Sequence, residues 1–122
     1  MKKFFEQSEN EVQSEVQNES EGEVSQKQQS IDRAKECIKK CEECIEYCEE
    51  KNHGCESCEE CVEVCKLYIY SAENNSPNFK TIAQMTSDIA HDCSSVCSDA
   101  GLEICIDDCL ALVEDIESLL EE

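Results

Sequence analysis

Two cysteines four residues apart occur five times in this chain, as Cys37/Cys41, Cys44/Cys48, Cys61/Cys65, Cys93/Cys97 and Cys105/Cys109. On an α-helix that spacing sets both side chains on one face, with Cβ atoms about 5–6 Å apart. Two thiolates so placed can grip one soft metal ion. Cys55 and Cys58 bring the total to twelve. A lone cysteine is more often a small buried apolar residue than a ligand. A dozen on shared helical faces reverses that balance.

Soft thiolates suit copper(I), zinc and iron–sulfur clusters. Zinc asks for four ligands around a closed tetrahedral point, commonly from C-x2-C knuckles on turns. Copper(I) is content with two or three, and bridging sulfurs can chain its sites into a continuous array. With two thiolates per ion and some shared, the cysteines would hold on the order of six to twelve ions. The expected role is therefore storage or sequestration of many copper(I) ions. Two alternatives stay open. One is a disulfide-stapled helical hairpin of structural or chaperone type, since Cys44/Cys48 and Cys61/Cys65 form twin C-x3-C pairs. The other is a zinc or iron–sulfur protein using Cys41-x2-Cys44, Cys55-x2-Cys58 and Cys58-x2-Cys61. His53, His91 and Met85 are candidates for secondary ligands, the two histidines near an entrance, although Met85 also fits core packing.

The elements that must position these sulfurs are helices. Ser30 can cap a first helix through Ile31, Ala34, Cys37, Ile38, Cys41, Cys44, Ile45 and Cys48. Steps of four, three and four keep its cysteines on one stripe. Lys51, Asn52, His53 and Gly54 read as a tight connection. A second helix carries Cys55, Cys58, Cys61 and Cys65 within roughly 120° of arc and continues into Leu67, Ile69 and Tyr70. Ser76 and Pro77 are the usual cap and first residue of a third helix, which runs through Phe79, Ile82, Ala83, Met85, Thr86, Ile89 and Ala90 to Cys93 and Cys97. Ala100 and Gly101 can end it. The last helix holds Leu102, Cys105, Ile106, Cys109, Leu112, Val113, Ile116, Leu119 and Leu120. Four helices with short links predict an all-α, antiparallel up-down four-helix bundle with a cysteine-lined core. That connectivity gathers Cys44, Cys48, Cys55, Cys58, Cys93, Cys97, Cys105 and Cys109 at one end. Cys37, Cys41, Cys61 and Cys65 are then expected to face Ile82, Met85, Ile89, Leu112, Val113 and Ile116 toward the other.

The chain has 122 residues, enough for one domain with a real core. Residues 1 to about 29 are mostly Glu, Gln, Ser and Asn without cysteine and predict a disordered acidic tail, leaving 30–122 as the bundle. The net charge of −20 repels nucleic acid and anionic membrane, so neither is an expected partner. No stretch has the length and apolarity of a membrane span. The start Met1-Lys2-Lys3-Phe4-Phe5 turns at once to Glu6, without an apolar run for secretion machinery, and a reducing cytoplasm is the expected location. There, many cysteines mean metal more often than disulfide. With two histidines, no Gly-rich phosphate loop and acids on exposed helix faces, no nucleophile–base arrangement presents itself, and an enzyme is not expected.

In order along the chain, Cys37-x3-Cys41-x2-Cys44-x3-Cys48, Cys61-x3-Cys65, Ser76-Pro77, and Cys93-x3-Cys97 followed by Cys105 resemble the bacterial copper storage proteins. The resemblance spans roughly residues 34 to 109. It implies a four-helix bundle whose core holds copper(I) on cysteine, a cytosolic location for members without an export signal, and assembly into a homo-oligomer, commonly a tetramer. It also implies a ligand role for Cys37, Cys41, Cys44, Cys48, Cys61, Cys65, Cys93, Cys97 and Cys105. Cys55, Cys58 and Cys109 join them by the helical stripe alone. The chain departs from the family pattern at Ala83, Thr86 and Ala90, where thiols are common, and no cysteine follows Cys109, so a lower capacity is expected. The third connection, Ser98 to Ile104, lacks the histidines some relatives carry there.

Overall fold

The computed structural model describes residues 21–52 and 54–121. Four helices follow one another: α1 (Glu21–Glu50), α2 (Glu56–Glu73), α3 (Phe79–Ala100) and α4 (Ile106–Leu120). Each packs on two others, α1 on α2 and α4, and α3 on α2 and α4, which closes a four-membered ring. Neighbours run antiparallel. Cys37 of α1 meets Cys61 of α2, while Cys44, further along α1, meets the earlier Cys55. Likewise Cys97 of α3 meets Cys105, while the earlier Ser87 meets the later Glu117 of α4. The expected up-down four-helix bundle is the architecture observed.

One stripe per helix builds the interior. On α1 it is Ala34, Cys37, Cys41, Cys44 and Cys48; on α2, Cys58, Cys61, Cys65, Tyr68 and Ala72; on α3, Ala83, Thr86, Ala90, Cys93 and Cys97; on α4, Cys109, Leu112 and Ile116. Alternating steps of three and four hold each stripe on the face that meets the other helices. Met85, 40% exposed, lies off the third stripe, and Leu67 and Tyr70, 42% and 64% exposed, lie off the second. These three are not core residues as expected. Counting three on from Cys65 lands on Tyr68, which is fully buried and stacks at a tilt on Phe79, ring centroids 5.5 Å apart.

Helix ends also differ from expectation, for local reasons. α1 begins at Glu21, so residues 21–29 are helical rather than part of a tail; residues 1–20 lie outside the described residues. Gln26, Lys27, Gln28 and Gln29 are good helix formers. Lys27 anchors the extension, its Nζ 3.0 Å from Asn75 Oδ1 and 5.2 Å from the Phe79 ring centroid. Ser30 is consequently no cap. Its hydroxyl donates back to the Lys27 carbonyl at 2.7 Å and accepts from the Tyr68 hydroxyl at 2.6 Å, both side chains being buried. Ser76 and Pro77 form a turn ahead of α3, the Ser76 hydroxyl accepting from Asn78 N, and the helix starts two residues later than expected, at Phe79. α3 ends as anticipated at Gly101, whose φ of 77° is left-handed. Its N–H bonds Ser98 O, and the Leu102 N–H reaches Cys97 O at 2.8 Å, a Schellman closure. α4 starts at Ile106 with Cys105 as its cap, leaving Leu102 in the connection.

The Ser30–Tyr68 pair makes a stability test. Ser30→Ala strands the Tyr68 hydroxyl in the core and is expected to cost about 1–3 kcal/mol, whereas Tyr68→Phe leaves Ser30 its carbonyl and costs about 1 kcal/mol or less. Urea unfolding of the reduced, metal-free chain reads the difference; a Tyr68→Phe loss larger than that of Ser30→Ala would reverse the assignment of donor and acceptor.

Candidate metal centre

All twelve cysteines are buried, free thiols. Their sulfurs meet across helices at van der Waals distance. Cys37 lies 3.7 Å from Cys61 and 3.6 Å from Cys109, and Cys41 lies 3.9 Å from Cys109. Cys58 lies 3.6 Å from Cys93, 3.6 Å from Cys97 and 3.8 Å from Cys105. Cys97 and Cys105 are 3.6 Å apart, and Cys44 and Cys55 are 3.9 Å apart. None of these is bonding distance for a disulfide. The stapled-hairpin alternative therefore has no bond to rest on here.

Four groups have every sulfur within 4.8 Å of the others: Cys37/Cys41/Cys61/Cys109, Cys41/Cys93/Cys105/Cys109, Cys44/Cys58/Cys97/Cys105 and Cys44/Cys48/Cys55. Consecutive groups share members: Cys41 and Cys109 link the first two, Cys105 the second and third, and Cys44 the third and fourth. A single connected array therefore runs along the bundle axis. Cys65 lies just past it, fully buried beside Cys37 and Cys61. Sulfur crowds the end expected, with one adjustment: Cys109 reaches back to complete the group around Cys37. Beyond it the interior turns apolar, with Tyr68, Leu112 and Ile116 fully buried. At the other extreme Cys48 and Cys55 keep 2% and 8% exposure, so that trio is the end of the array nearest solvent.

The chemistry around the sulfurs is uniform. The buried hydroxyls of Ser30, Ser71, Thr86 and Ser94 donate to helix carbonyls, of Lys27, Tyr68, Ile82 and His91 respectively. Ser87 turns to the Glu117 carboxylate at 3.4 Å. Thiols have mainly one another. Burial, which penalises the thiolate, pushes Cys44 up to about 12 and also raises Cys48 and Cys97. Cys105 moves the other way, below the ordinary thiol value, chiefly because the Cys109 thiol donates to it, with Cys41 and Cys58 adding to the effect. Cys109 is raised in turn, since losing its proton would forfeit that donation. Cys55 and Cys105 stand at the N-cap positions of α2 and α4 without a side-chain capping hydrogen bond. Unpaired N–H groups in the first turn of each helix face that end, and the positive dipole ends favour negative sulfur there.

The secondary candidates stand apart. His91 is exposed on the outer face of α3, lining a shallow depression with Ser87, Asp88, Asp92 and Glu117, and belongs to none of the sulfur groups. Two residues before Cys93, it points away from the stripe. Met85 is exposed as described above. His53 lies outside the described residues. What sequence reasoning missed is the Ser30–Tyr68 closure at the thiol-poor end, although the three-residue step from Cys65 to Tyr68 was a signal for it.

Searches of the curated proteins and of the solved structures return no significant match. A family model described as Csp, copper storage protein, matches residues 23–121, which include every cysteine and all but the first two residues of the four helices. A bundle with a connected interior of free thiols, matched along nearly its whole folded length, belongs to the copper storage protein family, and its function is copper storage.

Proposed function

We propose that the copper is held as copper(I), several ions per chain, by Cys37, Cys41, Cys44, Cys48, Cys55, Cys58, Cys61, Cys65, Cys93, Cys97, Cys105 and Cys109. The observation that carries this reading is the sharing of sulfurs between successive groups. A single structural ion needs one closed set of ligands. An overlapping ladder suits an ion that accepts two or three thiolates and tolerates bridging. Loading at the Cys44/Cys48/Cys55 end and passage inward by exchange between shared sulfurs follow from the same overlap. Each ion displaces thiol protons and offsets thiolate charge that an empty dry core would not sustain. The role is sequestration without catalysis.

Location in the cytoplasm rests on the reduced state such an array requires; among the described residues no helix is long and apolar enough to cross a membrane. Assembly of several copies is supported by large apolar side chains left at least 40% exposed on the outsides of the helices: Tyr47, Leu67, Tyr70, Met85, Val96 and Leu110.

Anaerobic titration of the reduced chain with copper(I) against a competing chelator is expected to saturate at several ions per chain. Saturation at one would end the reading. Serine at Cys44, Cys48, Cys55 and Cys58 together should remove several ions at once, and full capacity in that variant would show that copper sits elsewhere.

Two pH trends follow with opposite senses. Because binding releases thiol protons, apparent copper affinity is expected to fall between about pH 8 and pH 6; a flat profile would contradict thiolate ligation. The metal-free bundle behaves otherwise. Folded-state values of Cys44, Cys48 and Cys97 lie above the ordinary thiol value of about 8.5, so their contribution to stability is intact below that pH and lost as pH rises toward the folded values. The melting temperature of the reduced, metal-free chain should therefore drop between about pH 8.5 and 11. No drop would mean that these thiols are not desolvated.

A further inference from the structure

We propose that Cys44, Cys58, Cys97 and Cys105 form a closed tetrahedral site for one divalent d10 ion, with zinc as the chemical class, separate in kind from the copper(I) array that shares these sulfurs. The proposal does not depend on copper(I) being the stored ion.

Sulfur binds zinc at about 2.3 Å, so a regular four-sulfur tetrahedron has edges of about 3.8 Å. Cys58, Cys97 and Cys105 already form one complete face of such a figure, with edges of 3.6, 3.8 and 3.6 Å. Cys44 supplies the fourth vertex, within 4.8 Å of all three. In Cys37/Cys41/Cys61/Cys109 the contacts are 3.7 Å for Cys37–Cys61, 3.6 Å for Cys37–Cys109 and 3.9 Å for Cys41–Cys109.

Provenance of the four ligands separates the sites further. Cys44 comes from α1, Cys58 from α2, Cys97 from α3, and Cys105 stands at the N-cap position of α4. One ion therefore ties all four helices together beside the connections that join α1 to α2 and α3 to α4. The other two quartets each draw two sulfurs from α1 or two from the start of α4, and each leaves one helix out. Charge favours the same place. Four thiolates around a divalent ion keep two negative charges, and this site has Cys58 in the first turn of α2 and Cys105 at the head of α4, where helix dipoles oppose them. All four residues are fully buried, as a closed structural site requires.

Binding is balanced by protons: the ion enters, four S–H bonds give up their protons to solvent, and four metal–sulfur bonds form. A zinc ion so held keeps the sulfur-rich end assembled and its thiols protected while the reservoir is empty. Cys48 and Cys55 stay free at the end nearest solvent to receive copper(I).

Cobalt(II) is the probe, because a tetrahedral four-sulfur environment gives it intense visible d–d bands. The reduced, metal-free full chain is titrated anaerobically with cobalt(II), then with zinc(II). Expected are tetrahedral thiolate bands that saturate at one cobalt per chain in the tightest phase and bleach with one equivalent of zinc. Cys97 belongs to this group alone, and Cys61 only to the group around Cys37. Cys97→Ser should weaken the tight phase by at least about tenfold, while Cys61→Ser leaves it unchanged. Absence of tetrahedral bands in the unsubstituted chain, an intact tight phase in Cys97→Ser, or its loss in Cys61→Ser would each overturn the assignment. Zinc K-edge absorption on the unsubstituted one-zinc form reads the site without any variant: four sulfurs at about 2.3 Å support it, and oxygen or nitrogen neighbours refute it.

Discussion

A thiol costs little to bury and a thiolate costs a great deal, and this asymmetry governs the molecule. Sulfur is a weak donor and acceptor, so twelve protonated cysteines pack in the interior much as small apolar residues would. Once ionised, each would need a cation or strong donors that a bundle core lacks. The buried hydroxyls offer no help, because Ser30, Ser71, Thr86 and Ser94 already donate to helix carbonyls. Metal is the partner left. Burial thus disfavours the charged thiolate when no metal is bound, which ties proton loss to metal arrival.

The same contrast sorts ions by hardness. The chain carries thirty acidic side chains, and among the described residues the surface depressions are lined by carboxylates such as Glu56, Glu59, Glu60 and Glu63 on α2, with Asp92 across the seam on α3. Few of these acids pair with cations; Arg33 with Asp115 at 2.9 Å and Lys66 with Glu63 at 3.8 Å are the ion pairs among the described residues. Oxygen faces water and sulfur faces inward. Hard cations find weak, hydrated, reversible contacts outside, whereas only a soft ion gains enough from sulfur to leave water for the interior. Selectivity then comes from the partition of donor atoms between the two sides of each helix.

Much of this was legible in the sequence because cysteine marked it. Every sulfur predicted to face inward does so, and the three-and-four spacing fixed both the helical period and the shared face. Where sulfur stops, the pattern became ambiguous. Leu67, Ile69 and Tyr70 flank the true continuation, and apolar character drew attention to them, whereas Tyr68 is picked out only by extending the step from Cys65. Met85 misled in the same way, sitting beside Thr86, whose hydroxyl is silenced by the Ile82 carbonyl at 2.7 Å. Ser30 shows a different limit. Its local sequence suits a cap, but the partner that buries it, Tyr68, is distant in sequence, and Lys27 holds the preceding turn through Asn75 and Phe79. Such tertiary reasons leave no local trace.

The thiol-poor end is what allows the thiol-rich end to exist. A bundle filled with sulfur from end to end would rest its metal-free fold on small side chains that bury little area each. Here Ala34, Ala83 and Ala90 share the interior with Tyr68, Leu112 and Ile116, small residues beside large ones, as a dense core requires. Fully burying a side chain of the larger kind contributes about 1.5–3 kcal/mol, more than a thiol can supply. Ala83, Thr86 and Ala90 continue the stripe of Cys93 and Cys97 by the same steps, so the backbone would accept sulfur at those positions. They are small, fully buried residues that share the interior with Tyr68, Leu112 and Ile116. Ion capacity and metal-free stability compete for the same interior positions, and in this chain the boundary between them falls at Cys65, where α2 passes from thiol to the Tyr68 ring.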